Sequence, residues 1–307
     1  MNPHKKQRES ERGWNRVGTG IGIALGSLFV LLSVLTVLPI LFVVIVSLSS
    51  ETSIAARGYS FFPTEWSLDA YRYLLLKIDY IGHSFLLSVL LTLAGTLLSL
   101  GLISTMAFVL SQREFRFRKL FTALILIPMF FSGGLAASYV VNTQLFGLKN
   151  TVWALILPGA CSSWYILVMR TYFRQNIPSE ILESAQIDGA SILRVFVHFV
   201  LPLSRPILIT VGLFEAFDYW NSWYYAMLYI GANHRELFPL QYVLYNLQKN
   251  VEFMAVDEHI SGSVIPNLPT ESFRMAVVVL IIAPILVCYP FFRKAFLRGI
   301  TAGAVKE

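Results

Sequence analysis

Six long apolar stretches constrain what this chain can fold into. Each is close to or above the roughly 20 residues that an α-helix needs to cross the hydrocarbon core of a bilayer. Hydrophobic residues make up 56% of the 307 residues and charged residues only 14%, whereas about a quarter of a soluble domain is charged. The sequence therefore predicts an all-α integral membrane protein with six transmembrane helices. The stretches are 20–47, 84–110, 120–141, 152–169, 207–230 and 275–292.

The positive charges between these stretches predict the orientation of the chain. Lysine and arginine are enriched in the cytoplasmic segments of membrane proteins, and the two sets of alternating segments here carry seventeen and seven of them. Residues 1–19 and 293–307 fall on the richer side. Both are therefore expected to be cytoplasmic, flanking a membrane domain at 20–292 in the plasma membrane. This asymmetry accounts for the net charge of +6, and no separate feature indicates a nucleic-acid partner.

Proline, glycine and cysteine within the apolar stretches indicate bends and packing. Membrane helices often kink at proline and glycine, so the interruptions serve either packing or a movement of the bundle, and both interpretations stay open. Two cysteines inside apolar stretches are more typical of small packed side chains than of a disulfide or a metal site. The residues are Pro39, Pro128, Gly133, Gly134, Pro158, Pro284, Cys161 and Cys288.

The segment 48–83, expected on the outer side, is rich in aromatic residues. Within it, SLDAYRYLL predicts a short amphipathic helix capped by Ser67. Because aromatic side chains are enriched at the level of the lipid headgroups, we favour a membrane-interface role over a ligand site. These residues are Tyr59, Phe61, Phe62, Trp66, Tyr71 and Tyr73.

A polar segment broken by glycine, ESAQIDGA at 183–190, lies on the expected cytoplasmic side. It predicts a short helix that presents Ile181, Leu182 and Ala185 on one side and ends at Gly189, which can adopt the left-handed conformation. Ser191 is expected to cap a second helix. The first helix is too short to be stable in water without a docking surface.

This segment resembles the EAA loop of the permease subunits of binding-protein-dependent ABC importers. The family pattern is E-A-A-x-x-D-G-A, followed by a phenylalanine and then by L-P. Ser184 replaces the usual second residue, alanine, with another small residue. WNSWYYAML from Trp220 and the ending GAVK resemble the carbohydrate importers related to the smaller permease subunit of the maltose system. The matching residues are Glu183, Ala185, Asp188, Gly189, Ala190, Phe196, Leu201 and Pro202.

The resemblance implies the six-helix fold of type I importer permeases and a coupling helix in a loop at about 174–203. Glu183 would anchor this helix in a cleft of a cytoplasmic ATPase, Ala185 would allow close approach, and Gly189 would provide the turn; Ser184, Asp188 and Ala190 complete the site. The implied partners are a second homologous permease subunit, an ATPase dimer that binds ATP and Mg, and an extracellular solute-binding protein, expected to be a lipoprotein. Membrane lipid and a glycan substrate complete the set.

No sequence pattern indicates an enzyme. The chain lacks the G-x-x-x-x-G-K-[ST] loop that cradles nucleotide phosphates, the H-E-x-x-H zinc motif and a nucleophile elbow. We therefore predict no catalytic residue, metal site or cofactor in this chain. The leading hypothesis is a permease for an oligosaccharide or complex glycan. The alternatives are a permease of the same architecture for a non-sugar solute and a polytopic membrane enzyme acting on lipid-linked sugar.

Carboxylates inside the fifth stretch indicate a polar path. A carboxylate in the middle of a bilayer costs about 2.5–3.5 kcal/mol on insertion scales and therefore faces a cavity or a partner. At helical spacing, Glu215, Asp218 and Ser222 would share one face, and this face either lines the substrate pathway or pairs with the second subunit. The tentative pathway residues are Glu215, Asp218, Tyr219, Trp220, Asn221 and Trp223.

Overall fold

The computed structural model describes residues 19–76, 78–261 and 270–304. In this part of the chain every regular element is helical, and the only strand-like pairing is an isolated bridge between Ser49 and Trp66. The helices are α1 (Thr19–Ser47), α2 (Glu51–Arg57), α3 (Asp69–Leu75), α4 (Ile78–Ser111), α5 (Arg118–Phe130), α6 (Gly134–Val140), α7 (Trp153–Ile156), α8 (Ser163–Asn176), α9 (Ser179–Ile187), α10 (Ile192–Leu203), α11 (Arg205–Trp220), α12 (Tyr224–Tyr229), α13 (Leu240–Ser261) and α14 (Glu271–Ala304).

The chain divides into two compact units. The first contains the residues up to Tyr73 together with Ser261–Leu280, and the second contains Leu74–Ile260 together with Ile281–Glu307. The second unit holds the polar segment 183–190 and the carboxylates of the fifth apolar stretch.

The first unit joins the end of α1 to the start of α14 through a carboxylate. Glu51 accepts hydrogen bonds from the backbone N–H groups of Glu271 at 3.0 Å and Ser272 at 3.3 Å, so it satisfies donors at the first turn of α14 that have no intrahelical partner. The Tyr59 hydroxyl donates to Glu271 at 2.6 Å, and this bond raises the pKa of Tyr59 above its usual 10. Ser67 accepts from the backbone N–H of Asp69 at 3.0 Å, so it satisfies a donor at the start of α3 from the position before the N-cap, which is occupied by Leu68.

The second unit is built around α4. Residues of this helix at spacings of three and four are buried, which is the pattern of one helix face packed on neighbours, and α11 and α8 pack along that face. Small residues allow this close approach: a Cβ atom at Gly95 would lie 2.6 Å from the Tyr219 ring, and one at Gly212 would lie 3.0 Å from Leu100.

Some of the apolar stretches form one long helix, whereas others are divided between two helices. By length and apolar composition, 20–47 and Ile78–Ser111 can each cross a membrane. Two further candidate spans are bent pairs of helices, Trp153–Gly159 with Ser163–Asn176 at 51° and Ile192–Leu203 with Arg205–Trp220 at 83°. Pro158 lies in the first of these pairs, so a bend near this proline is confirmed.

Two expected continuous helices are interrupted. The stretch 120–141 breaks between α5 and α6, where Gly134 has a φ of +83° that favours glycine. The stretch 207–230 breaks after Trp220, and a new helix begins at Tyr224. The prediction that Ser222 shares a helix face with Glu215 and Asp218 is therefore wrong, because the helix that carries both carboxylates ends before Ser222.

Candidate functional site

The polar segment 183–190 forms a corner between α9 and α10. Gly189 has a φ of +78°, and the backbone N–H of Ala190 donates to the carbonyl of Ala185 at 2.9 Å. This bond from the second residue beyond the cap back to the last turn is the mark of a Schellman motif. Ser191 then caps α10 by accepting from the backbone N–H of Arg194 at 3.3 Å. The expected glycine turn and serine cap are both confirmed.

One side of this corner is buried in the protein's own core. Ala185 is 6% exposed and belongs to an apolar cluster with the aromatic rings of α4, α8 and α10. Within that cluster, Phe196 stacks on Phe108 with ring centroids 5.0 Å apart. The methyl group of Ala185 therefore provides close approach to the membrane helices, and any partner must meet the opposite side of α9.

The turn between α9 and α10 is flanked by three large exposed apolar residues. Ile187 is 85% exposed, Leu193 is 70% exposed and Ile192 is 66% exposed. Glu183 and Asp188 are also exposed and add two carboxylates, an acidic rim. Large exposed apolar residues accompanied by polar ones are typical of a protein-binding surface. We call Ile187, Ile192 and Leu193, with Glu183 and Asp188, the outer corner.

The three apolar members of the outer corner were not predicted from the sequence. Of the face predicted to carry Ile181, Leu182 and Ala185, Ala185 is buried and Leu182 packs against the same apolar cluster. Ile187 lies just before the glycine turn, and Ile192 with Leu193 follows directly after the serine cap. Apolar residues flanking a turn were the available signal. Ser184 is also exposed, and its hydroxyl donates to the carbonyl of Glu180 at 2.8 Å within the same helix, so it replaces alanine without an unpaired polar group.

A polar cavity of about 770 Å³ lies beside the corner, between the C-terminal ends of α4 and α8 and the start of α9. Glu183 lines this cavity together with Arg113 and Arg174. Arg170 at its edge donates to the carbonyl of Leu110 at 3.2 Å and so ties α8 to the end of α4. A displacement of α9 would therefore act next to the ends of α4 and α8, which Arg170 links.

The proposed pathway residues separate into a buried group and an exposed group. Glu215 is 2% exposed, and Tyr219 and Trp220 are 8% exposed. The Tyr219 hydroxyl donates to the carbonyl of Ile156 at 3.0 Å and accepts from Ser99 at 3.0 Å. The Trp220 indole donates to the carbonyl of Ile281 at 3.4 Å. Tyr219 and Trp220 therefore hold helices together in this conformation.

Glu215 is the least satisfied member of the buried group. Its Oε1 atom is buried and has no hydrogen-bond partner among the described residues. An unpartnered buried polar atom costs on the order of 1–3 kcal/mol.

The exposed group surrounds Asp218. The Tyr165 hydroxyl donates to Asp218 at 3.1 Å, and the Tyr165 ring stacks on Phe214 with ring centroids 6.2 Å apart. Asn221 is exposed, although its amide donates to the carbonyl of Phe217 at 2.9 Å and closes the end of α11. Trp223, 36% exposed, stacks on Tyr245 at 4.7 Å. Tyr165 was not expected from the sequence, because it lies on a different helix.

Known proteins resemble this chain over almost its whole length. Protein LplC of Bacillus subtilis (strain 168) is 36% identical over 272 residues, covering 89% of this chain and 90% of that protein. The polygalacturonan/rhamnogalacturonan transport system permease protein YtcP of the same organism is 38% identical over 274 residues, covering 89% and 94%. No family model matches the chain.

A solved structure agrees with the computed fold. It is a chain from the crystal structure of a bacterial ABC transporter involved in the import of the acidic polysaccharide alginate. The TM-score is 0.74 at 28% sequence identity, and the match covers 90% of this chain and 96% of that chain.

Proposed function

The chain belongs to the permease subunits of carbohydrate ABC transporters, and from this premise we propose that it carries an oligosaccharide or a complex glycan into the cell. It is a transport subunit of the membrane and not an enzyme. The support for a saccharide substrate is the likeness to YtcP, at 38% identity, and to the alginate importer. A membrane enzyme acting on lipid-linked sugar does not fit this family.

The proposed topology has six transmembrane helices with both termini in the cytoplasm. The asymmetry of lysine and arginine supports it, as do the two long apolar helices and the two bent pairs. On this topology the outer corner faces the cytoplasm and the segment 48–83 faces the outside. The C-terminal helix extends to Ala304, while Val305 and Lys306 of the family-like ending lie outside the described residues.

The proposed assembly contains a second homologous permease subunit, an ATPase dimer and an extracellular solute-binding protein. ATP and Mg would be bound by the ATPase chains, since this chain has no phosphate-binding loop. The observation that carries the proposal is the outer corner, because it presents exposed apolar side chains and two carboxylates around a turn whose preceding helix, α9, is packed through Ala185 into the apolar cluster. We propose that the ATPase binds there and transmits its closure through α9.

Replacing Ile187 with serine tests this docking surface. Burying an isoleucine side chain contributes about 1.5–3 kcal/mol, so its loss should reduce uptake and substrate-stimulated ATP hydrolysis by roughly tenfold or more. Both are measured on the purified complex in proteoliposomes. The control is Phe117→Ser, which alters a residue that is also exposed, at 55%, on another cytoplasmic segment. Unchanged stimulation in the Ile187 variant would show that the ATPase does not contact this face.

Replacing Asp218 with alanine tests the pathway. Asp218 is exposed and positioned by Tyr165, and a carboxylate that bonds a sugar hydroxyl contributes about 1.5–3 kcal/mol. Uptake should therefore fall roughly tenfold or more, while complex assembly and basal ATP hydrolysis stay intact. Loss of assembly would instead place Asp218 at the interface with the second subunit. Trp220→Ala is a poor probe of the pathway, because Trp220 is buried and bonded to α14.

A further inference from the structure

A second cavity, of about 820 Å³, lies entirely within the first unit. Its walls come from the end of α1, the start of α2, the loop before α3 and the start of α14. This volume is within the roughly 300–1,000 Å³ of small-molecule sites. The lining residues that matter for its chemistry are Thr52, Glu65, Trp66, Asp69 and Arg72.

Backbone hydrogen bonds join the two segments that line this cavity, residues 48–50 and 65–67. Ser49 and Trp66 form the isolated bridge. The backbone N–H of Ser50 donates to the carbonyl of Glu65 at 3.0 Å, and that of Ser67 donates to the carbonyl of Leu48 at 2.8 Å. A site that is rigid before binding loses little conformational entropy when a ligand arrives.

The side chains offer an aromatic surface beside fixed polar groups. Trp66 is 63% exposed, and its backbone forms the isolated bridge with Ser49. Glu65 accepts a hydrogen bond from Thr52 at 3.3 Å through one carboxylate oxygen. The Arg72 guanidinium donates a hydrogen bond to the Asp69 carboxylate at 3.2 Å. An open indole ring can pack on the C–H face of a sugar, while carboxylates and hydroxyls bond its hydroxyl groups.

Two observations separate this cavity from a general membrane-interface role for the aromatic residues. Phe62 is 86% exposed and does not line the cavity, as expected of a residue that meets the headgroups. Trp66 instead lies among charged groups around a concave space. The lining contains three carboxylates, on Glu51, Glu65 and Asp69, and the single cation of Arg72. This excess of negative charge opposes the carboxylate of a uronic acid.

We propose that this cavity is a saccharide-binding site for uncharged glycosyl residues, with Trp66 as the stacking surface and Glu65 as the hydroxyl acceptor. The inference rests on the proposed function, since the topology places the segment 48–83 outside. It adds a binding position in the permease itself, separate from the exposed group around Asp218. It also predicts that neutral sugars are preferred at this position.

Saturation-transfer NMR on the complete importer in nanodiscs, without its binding protein, tests the site. The probes are arabinotriose, which is neutral, and trigalacturonate, which is acidic. Arabinotriose should give a signal that falls roughly two- to tenfold in Trp66→Ala, the range expected for losing one aromatic contact. Glu65→Gln should also weaken it, whereas Trp66→Phe should retain most of it. Phe62→Ala is the matched control, and its signal should equal that of the wild type.

Three results would overturn the inference. They are absence of an arabinotriose signal in the wild type, an equal signal in Trp66→Ala, and a Trp66-dependent trigalacturonate signal as strong as that of arabinotriose. ATP-driven uptake of a panel of oligosaccharides by the wild-type importer with its binding protein is measured in parallel. Uptake by the wild type together with a negative NMR result rejects this site and leaves the proposed function standing. Absence of saccharide uptake by the wild type rejects the proposed function itself.

Discussion

Replacing Gly189 with valine is expected to abolish uptake and stimulated ATP hydrolysis while the protein still inserts into the membrane. Gly189 has a φ of +78°, and a β-branched residue in that conformation costs on the order of 1–3 kcal/mol. Apart from its two chain neighbours, no heavy atom of the described residues lies within 4 Å of a Cβ built at this position. The loss therefore comes from the backbone of the α9–α10 corner and not from a steric clash, and it should misplace the outer corner relative to the ATPase.

The matched variant is Gly189→Asn, because asparagine tolerates the left-handed conformation better than other residues with a side chain. It should retain much of the wild-type uptake. Adding Glu183→Ala to Gly189→Val should leave no uptake, since the turn and one of the two carboxylates of the acidic rim are then lost. Uptake and ATPase stimulation are measured in proteoliposomes, with membrane insertion checked by detergent extraction and gel filtration. Wild-type uptake in this double variant would show that the corner does not couple ATP hydrolysis to transport.

The geometry of the α9–α10 corner could be predicted from the sequence because local signals determine it. A glycine after a short amphipathic helix and a serine before the next one specify the Schellman turn and the cap through bonds within a few residues. The direction in which Ala185 points could not be predicted in the same way. Its burial depends on Phe108 and Phe173, which are distant in sequence and packed into the same cluster.

The fifth apolar stretch shows the limit of periodicity more clearly. Glu215 and Asp218 are one turn apart, and helical spacing alone assigns them to neighbouring positions on one face. In the structure α4 packs on α11 and buries Glu215, whereas Asp218 stays exposed and is bonded by Tyr165. The packing of α4 determines which carboxylate is buried and which is exposed. This is a tertiary contact that local helical spacing does not predict.

The ends of the apolar stretches were also misjudged for a physical reason. Hydropathy detects residues that lipid accepts, but it does not detect where the backbone stops being helical. The break at 131–133 follows Pro128 and contains Gly133, directly before Gly134 starts the next helix, and the break after Trp220 begins at Asn221. Such breaks are tolerated where neighbouring helices satisfy the freed backbone groups.

Replacing Gly95 with valine is expected to destabilise the membrane domain by about 1–3 kcal/mol, the usual cost of overpacking a core. A Cβ atom at Gly95 would lie 2.6 Å from the Tyr219 ring. That ring cannot move aside easily, because its hydroxyl is bonded both to Ser99 on the same α4 helix and to the carbonyl of Ile156. The expected result is a lower thermal unfolding temperature and a smaller yield of assembled complex.

The control is Gly101→Val, six residues further along the same helix, where no heavy atom of the described residues lies within 4 Å of the added Cβ apart from the local helix backbone. This variant should unfold at nearly the wild-type temperature. The double variant Gly95→Val, Tyr219→Ala removes the ring that the new side chain meets, so its destabilisation should be smaller than the sum for the two single variants. Additive effects would mean that Gly95 and Tyr219 do not touch. The α4–α11 packing that buries Glu215 and leaves Asp218 exposed would then need another explanation.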